Sequence, residues 1–178
     1  MKAKRDEYWV RAFAVNSEFD VLSTINGSSI IDLSVVIRQK LIDHFARHPQ
    51  ELYRLPSRSF EELIAELFNG LGYAVELTAA TRDNGHDIIA ISNTHVGKCK
   101  YLIECKRYSM ENKVGIVPVR ALHGVVSKEK ATKGIIVTTS HFTAPANKFI
   151  EEEKWALEGH DFEGLLEWLK SYQNLRRK

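Results

Sequence analysis

The 178-residue chain is poor in cysteine, carries no strong excess of charge of either sign and has no long apolar run. Its two cysteines, Cys99 and Cys105, are too few and wrongly spaced for a zinc framework. On one extended strand they would stand about 20 Å apart, beyond disulfide reach. A formal net charge of +2 leans basic too weakly to identify a nucleic-acid partner, although a local basic patch fits inside a near-neutral total. No stretch approaches the roughly 20 apolar residues of a membrane span. The start, Met1 to Arg11, leads into no apolar core of a secretory signal. A reducing cytoplasm, away from membranes, is the expected location. Internal repeats and low-complexity segments are absent as well.

What is present is the composition of a folded protein, 44% hydrophobic and 27% charged, at a length suited to one domain with a small additional element. A soft boundary falls in the connector His48–Pro56, bracketed by Pro49 and Pro56. Residues 1–50 then form an N-terminal element of unassigned role, and residues 51–178 the main domain. In the first part, 8–15 and 20–25 read as short strands and 26–29 as a loop. From Asp32 to Ala46, the residues Leu33, Val36, Ile37, Leu41 and Phe45 recur at helical spacing.

In the second part Ser59 and Glu62 have the spacing of a capping box ahead of an apolar stripe of Phe60, Leu63, Ile64, Leu67, Phe68 and Leu71. Glu62 and Glu66 are expected to face solvent, and Glu61 to lie on the border of the stripe. Strands are expected at 73–77, 86–92 and 100–108, joined by turns at Thr81–Gly85 and Asn93–Gly97 as an antiparallel meander. A helix from about Val114, a buried strand over 133–139, a helix over 144–153, a last strand at Trp155–Leu157 and a helix capped by Asp161 follow. The order predicts an α/β fold with a mixed central sheet flanked by helices.

Two of these strands carry charge where a core strand should not. Asp87 opens the second, while Glu104 and Lys106 interrupt the third and share one face, with Cys105 pointing the other way. A same-face surface pair would contribute little, but burying these charges unused would cost several kcal/mol, roughly. Phosphodiester hydrolysis needs a nucleophilic water and stabilisation of charge on the phosphate and leaving oxygen, which hard divalent cations on oxygen ligands supply. Asp87, Glu104 and the backbone carbonyl of Cys105 are three such oxygens for Mg2+, with Mn2+ as a substitute. Lys106 is placed to position the water or to neutralise charge, and acts as a base only if its pKa falls. Glu61, from the helix, is placed to orient Lys106 or a nearby water.

In this context the sequence resembles the Mrr-like restriction endonuclease domain of the PD-(D/E)XK nuclease superfamily. The likeness runs through Phe60-Glu61-Glu62-Leu63, Leu71-Gly72-Tyr73, Asp83-Asn84-Gly85-His86-Asp87 and Glu104-Cys105-Lys106-Arg107-Tyr108. It continues through Lys113-Val114-Gly115, Val119-Arg120 and Val137-Thr138-Thr139-Ser140-His141-Phe142-Thr143, covering roughly residues 56–170. The resemblance implies an αβββαβ core, a divalent metal and double-stranded DNA as substrate. It makes Asp87 and Glu104 the metal ligands, Lys106 the catalytic lysine and Glu61 the helix acid. The chain departs from the pattern at His86, where the signature has proline, and keeps glutamate at 104, where many members have glutamine.

The resemblance therefore implies an endonuclease acting in restriction of foreign DNA. A junction-resolving or repair nuclease, a DNA-binding module that does not cut, and a non-DNA interaction protein are the rivals. Lys98, Arg107, Lys113 and Arg120 are the expected DNA contacts, in a basic set that also includes Lys100, Lys128, Lys130 and Lys133. Thr138, Thr139 and Ser140 are expected to meet phosphate or to hydrogen-bond a neighbouring loop. Cutting both strands needs two centres, so a homodimer is expected if each chain has one.

Overall fold

A computed structural model describes residues 30–78, 85–95 and 97–176 of the chain. The strands expected at 8–15 and 20–25, the loop at 26–29 and most of the turn at 81–85 lie outside the described residues. The chain divides into two units, Met1–Leu41 and Ile42–Lys178, and the second holds the sheet. That unit opens ahead of the Pro49–Pro56 connector, with Ile42 and Phe45 buried on the last turns of helix α1 (Ile30–Arg47).

The apolar periodicities fix the elements. A short 3-10 turn, Pro49–Arg54, leads to α2 (Ser57–Gly70), whose stripe Phe60, Leu63, Ile64, Leu67 and Phe68 is buried. Then come β1 (Ala74–Leu77), β2 (Ile88–Thr94), β3 (Gly97–Lys106), α3 (Ile116–Lys128), β4 (Lys133–Thr138), α4 (Ala144–Glu152), β5 (Leu157–His160) and α5 (Phe162–Arg176). The five strands lie in sequence order. β1, β2 and β3 form the antiparallel meander, and β4 and β5 add in parallel after helical crossovers. This is the mixed sheet flanked by helices that the sequence predicts. The β2–β3 hairpin closes at Thr94–Gly97, where Gly97 takes φ +137°.

Side-chain alternation divides the sheet into two faces. Leu102 and Ile136 pack with Val119, Leu122 and Val126 of α3 and Ala146 of α4 in one buried cluster. Glu104, Lys106 and Thr138 continue the strand rows of that face, whereas Ile103 and Cys105 belong to the face covered by α2 and α5. Gly134 sits in the α3 row, where a Cβ would come within 2.7 Å of Val126 and 3.0 Å of Leu122.

Two local expectations are corrected. α2 begins at Ser57 after Pro56, without a side-chain cap, and Ser59 is buried inside its first turn. The capping box therefore does not form, and Glu62 is partly buried rather than solvent-facing, only 11% exposed and 3.9 Å from Arg58. The last strand starts at Leu157 rather than Trp155. A turn in which Ala156 and Leu157 both donate to the Glu153 carbonyl leaves Trp155 almost wholly exposed.

Candidate active site

One end of the sheet gathers the charged residues. There β1 and β3 finish, β2 starts, and α2 begins beside them. The β2–β3 ladder stops at the Ile88–Ile103 pair. Beyond it the Asp87 amide donates to the Ile103 carbonyl at 2.8 Å. The Asp87 carboxylate then takes the place of a backbone acceptor, its Oδ2 receiving the Cys105 amide at 2.7 Å. Asp87 is thereby tied to the residue between Glu104 and Lys106.

Thr78, just past β1, holds Asp87 from the other side. Its amide donates to the Asp87 carbonyl at 2.9 Å, and its hydroxyl reaches the carbonyls of His86 and Asp87, each at 3.0 Å. Arg58 joins this assembly to the helix by donating to the Thr78 carbonyl at 3.0 Å and to Glu61 Oε2 at 2.8 Å. Neither Arg58 nor Thr78 was singled out from sequence. The three-residue spacing of Arg58 and Glu61 on one helix was the available signal; for Thr78 there was none.

Glu104 is 15% exposed and pairs with Lys106 at 2.5 Å. Burial and the charge of Asp87 raise the Glu104 carboxyl, against the opposing pull of Lys106. Glu61 behaves alike: burial and then Asp87 push it up, Arg58 pulls it down, and Glu104 adds a smaller push. Three acids thus sense one another in a partly desolvated corner. For Lys106 burial acts to lower the pKa, but the hydrogen bond and charge of Glu104 outweigh it and hold the ammonium above its usual value. In this state Lys106 is a cation and not a base. Burial also drives the Cys105 thiol well above its ordinary range, with Asp87, Glu61 and Glu104 adding to it, so Cys105 is no nucleophile.

His86 is 2% exposed, and neither ring nitrogen finds a hydrogen bond among the described residues; Glu129 stands 3.8 Å from Nδ1. Gly85 before it has φ +72°, and a Cβ there would lie 2.8 Å from Val125 of α3.

The expected DNA contacts separate. Lys113 and Arg120 are exposed, on the loop after β3 and in the first turns of α3, with Arg120 lying over the Phe149 ring at 5.3 Å. Arg107 is half-buried and donates to the Tyr53 carbonyl at 3.2 Å. Lys98 lies in the β2–β3 hairpin, about 20 Å along the strand from Glu104 at the usual rise. Lys100 and Lys133 share that far end, committed to Glu129 and Glu158. The basic residues therefore do not form one cluster at the site, because a strand spreads neighbours in sequence along its length. Thr138, Thr139 and Ser140 are fully buried and hydrogen-bond the segment after β3.

Residues 52–169 match the family model for the Mrr catalytic domain (Mrr_cat), described as restriction endonuclease. The chain belongs to this family. Among curated proteins it is similar to the uncharacterized protein y4cE of Sinorhizobium fredii, 35% identical over 101 residues, covering 57% of this chain and 26% of that protein. It is also similar to the type IV methyl-directed restriction enzyme EcoKMrr of Escherichia coli, 33% identical over 101 residues, covering 54% of this chain and 32% of that protein. The chain thus spans about a quarter to a third of the length of these relatives. The DNA modification-dependent restriction endonuclease AspBHI shares its fold, with a TM-score of 0.56 at 22% identity over 75% of this chain and 35% of that one.

For this Mrr-family domain the donor set fits a hard cation. Among the described residues no three His, Cys, Asp or Glu side chains make a metal cluster. Two carboxylates with a backbone carbonyl suit Mg2+, which keeps several waters and takes few protein ligands. The upward push on Glu104, from burial and from Asp87, is what a cation between them would relieve.

Proposed function

We propose that the chain is the nuclease module of a metal-dependent DNA endonuclease that acts in restriction of foreign DNA. The observation that carries this reading is the bond from the Cys105 amide to Asp87, which ties Asp87 to the residue between the paired Glu104 and Lys106. Membership of the restriction endonuclease family supports it. Asp87, Glu104 and the Cys105 carbonyl would hold the ion. When bound, Mg2+ or Mn2+ supplies Lewis-acid stabilisation of the phosphate and a water of lowered pKa.

The chain's own residues do the rest. Lys106, kept protonated by Glu104, neutralises charge developing on the scissile phosphate and orients the attacking water. Glu61, locked to Arg58, fixes the rim of the site from the helix side. Lys113 and Arg120 track the DNA backbone next to the centre, a role sequence-independent in character. A separate role is assigned to the N-terminal unit, residues 1–41, which precedes a family match that begins at residue 52. Cutting both strands requires two such centres, and a pair of chains would supply them.

The test is incubation of methylated and unmethylated linear DNA with the protein and Mg2+ or Mn2+. Cleavage that stops with EDTA and with Lys106→Ala supports the reading. DNA binding without cuts under all conditions would reduce the chain to a binding module, and cuts confined to branched DNA would make it a junction nuclease.

A further inference from the structure

The parallel β3–β4 ladder ends at the Lys106–Thr138 pair, yet the two strands do not part there. The Thr139 amide donates to the Lys106 carbonyl at 3.3 Å, and three consecutive hydroxyl residues of β4 and its exit add side-chain bonds to this backbone contact. Thr138 Oγ1 donates to the Lys106 carbonyl at 2.7 Å and accepts the Ser140 amide at 3.0 Å. Thr139 Oγ1 donates to the Tyr108 carbonyl at 2.6 Å and accepts the Tyr108 amide at 2.9 Å. Ser140 Oγ donates to the Met110 carbonyl at 3.3 Å. The carbonyls so held belong to residues 106, 108 and 110, every second residue of the segment leaving the site.

All three hydroxyl residues are fully buried. Burying a hydroxyl without a partner is unfavourable, so these groups are fixed to the segment they hold. The positions just before, Ile135, Ile136 and Val137, are apolar, so the hydroxyls are confined to the end of the strand.

We infer that Thr138, Thr139 and Ser140 form a hydroxyl clasp that positions Lys106 and the Arg107–Met110 segment for the chemistry at Glu104. They are positioning residues, since they act through the backbone of Lys106 and Tyr108. The clasp sets where β3 ends, and with it the reach of the Lys106 ammonium toward Glu104. This inference rests on the nuclease reading for its kinetic consequence, but the clasp itself has a readout independent of cleavage.

The experiment compares wild type with Thr139→Val and Thr139→Ser. Valine keeps the shape and removes both bonds to Tyr108; serine keeps the hydroxyl. Amide hydrogen exchange should show Tyr108 protected in wild type and Thr139→Ser, and unprotected in Thr139→Val. Cleavage per folded molecule should fall roughly ten- to a hundredfold in kcat for Thr139→Val, with KM for DNA little changed and rescue by Thr139→Ser. A Thr139→Val protein with Tyr108 still protected, or with unchanged kcat per folded molecule, would overturn the clasp. If Thr139→Val does not fold, Ser140→Ala, which removes only the Met110 bond, takes its place, with Met110 and its neighbours as the exchange probes. If wild type does not cut DNA, the nuclease reading fails, and the exchange result alone decides whether the clasp exists.

Discussion

The Cys105 amide donates to the Asp87 carboxylate at 2.7 Å, so the residue between Glu104 and Lys106 is bonded to the acid that opens the neighbouring strand. With the bond from the Asp87 amide to the Ile103 carbonyl, it joins the two strands beyond the end of their ladder. It also limits Asp87 to few orientations, which leaves its other oxygen directed by the same restraint.

In the proposed nuclease the charge of Lys106 would act on the scissile phosphate. Lys106→Ala should reduce cleavage on the order of a hundredfold or more, the usual loss on removing a preorganised charge-stabilising group. DNA affinity measured in EDTA should change little, because Lys106 is paired with Glu104 rather than free for phosphate. Single-turnover kinetics beside a binding titration separate the two effects.

Glu104 carries a cost in the absence of a cation. Its carboxyl is raised by burial and by Asp87, so the folded chain holds that proton more tightly than the unfolded chain does. The stability linked to it is present at acid pH, below the unfolded pKa, and is lost as pH rises through the folded value. Glu104→Gln should therefore melt at a higher temperature than wild type in EDTA at neutral pH. That advantage should shrink as the pH falls through the carboxylate range, while cleavage is abolished. Melting curves of both proteins at several pH values check this.

Thr78 links β1 to the site without any charge of its own. Thr78→Val removes the hydroxyl bonds to His86 and Asp87 and should cost about 1 kcal/mol of stability. It should lower metal affinity as Asp87 gains freedom, which calorimetric titration with Mn2+ would report.

Gly134 tests the packing that places β4. A methyl group there meets Val126, Leu122 and Leu157 within 3.1 Å, so Gly134→Ala should destabilise by about 1–3 kcal/mol. Denaturant unfolding gives the value directly.

The strands and helices were largely legible in the sequence because each buried face repeats at its own period. Period-two alternation alone puts Glu104 and Lys106 on one face of β3, and the stripe of α2 puts Glu61 at its border. The capping box misled because its spacing is local, whereas the burial of Ser59 is decided by the sheet that α2 packs against. Trp155 drew the last strand too early by apolar character alone, although a turn exposes it. The basic residues misled for a geometric reason: Lys98 is near Glu104 in sequence and at the other end of the same strand in space. The Thr138–Ser140 run is legible as a tract that meets phosphate or a neighbouring loop, and the structure gives the loop bonds; the bonds of Arg58 and Thr78 to distant segments have no local pattern.

The central claim is that Asp87 and Glu104 share a divalent cation. Anomalous diffraction from crystals grown with Mn2+ tests it most directly. One peak ligated by both carboxylates is expected, absent in Asp87→Asn. No peak at these residues under saturating Mn2+, or a peak bound elsewhere with Asp87 and Glu104 turned apart, would contradict it.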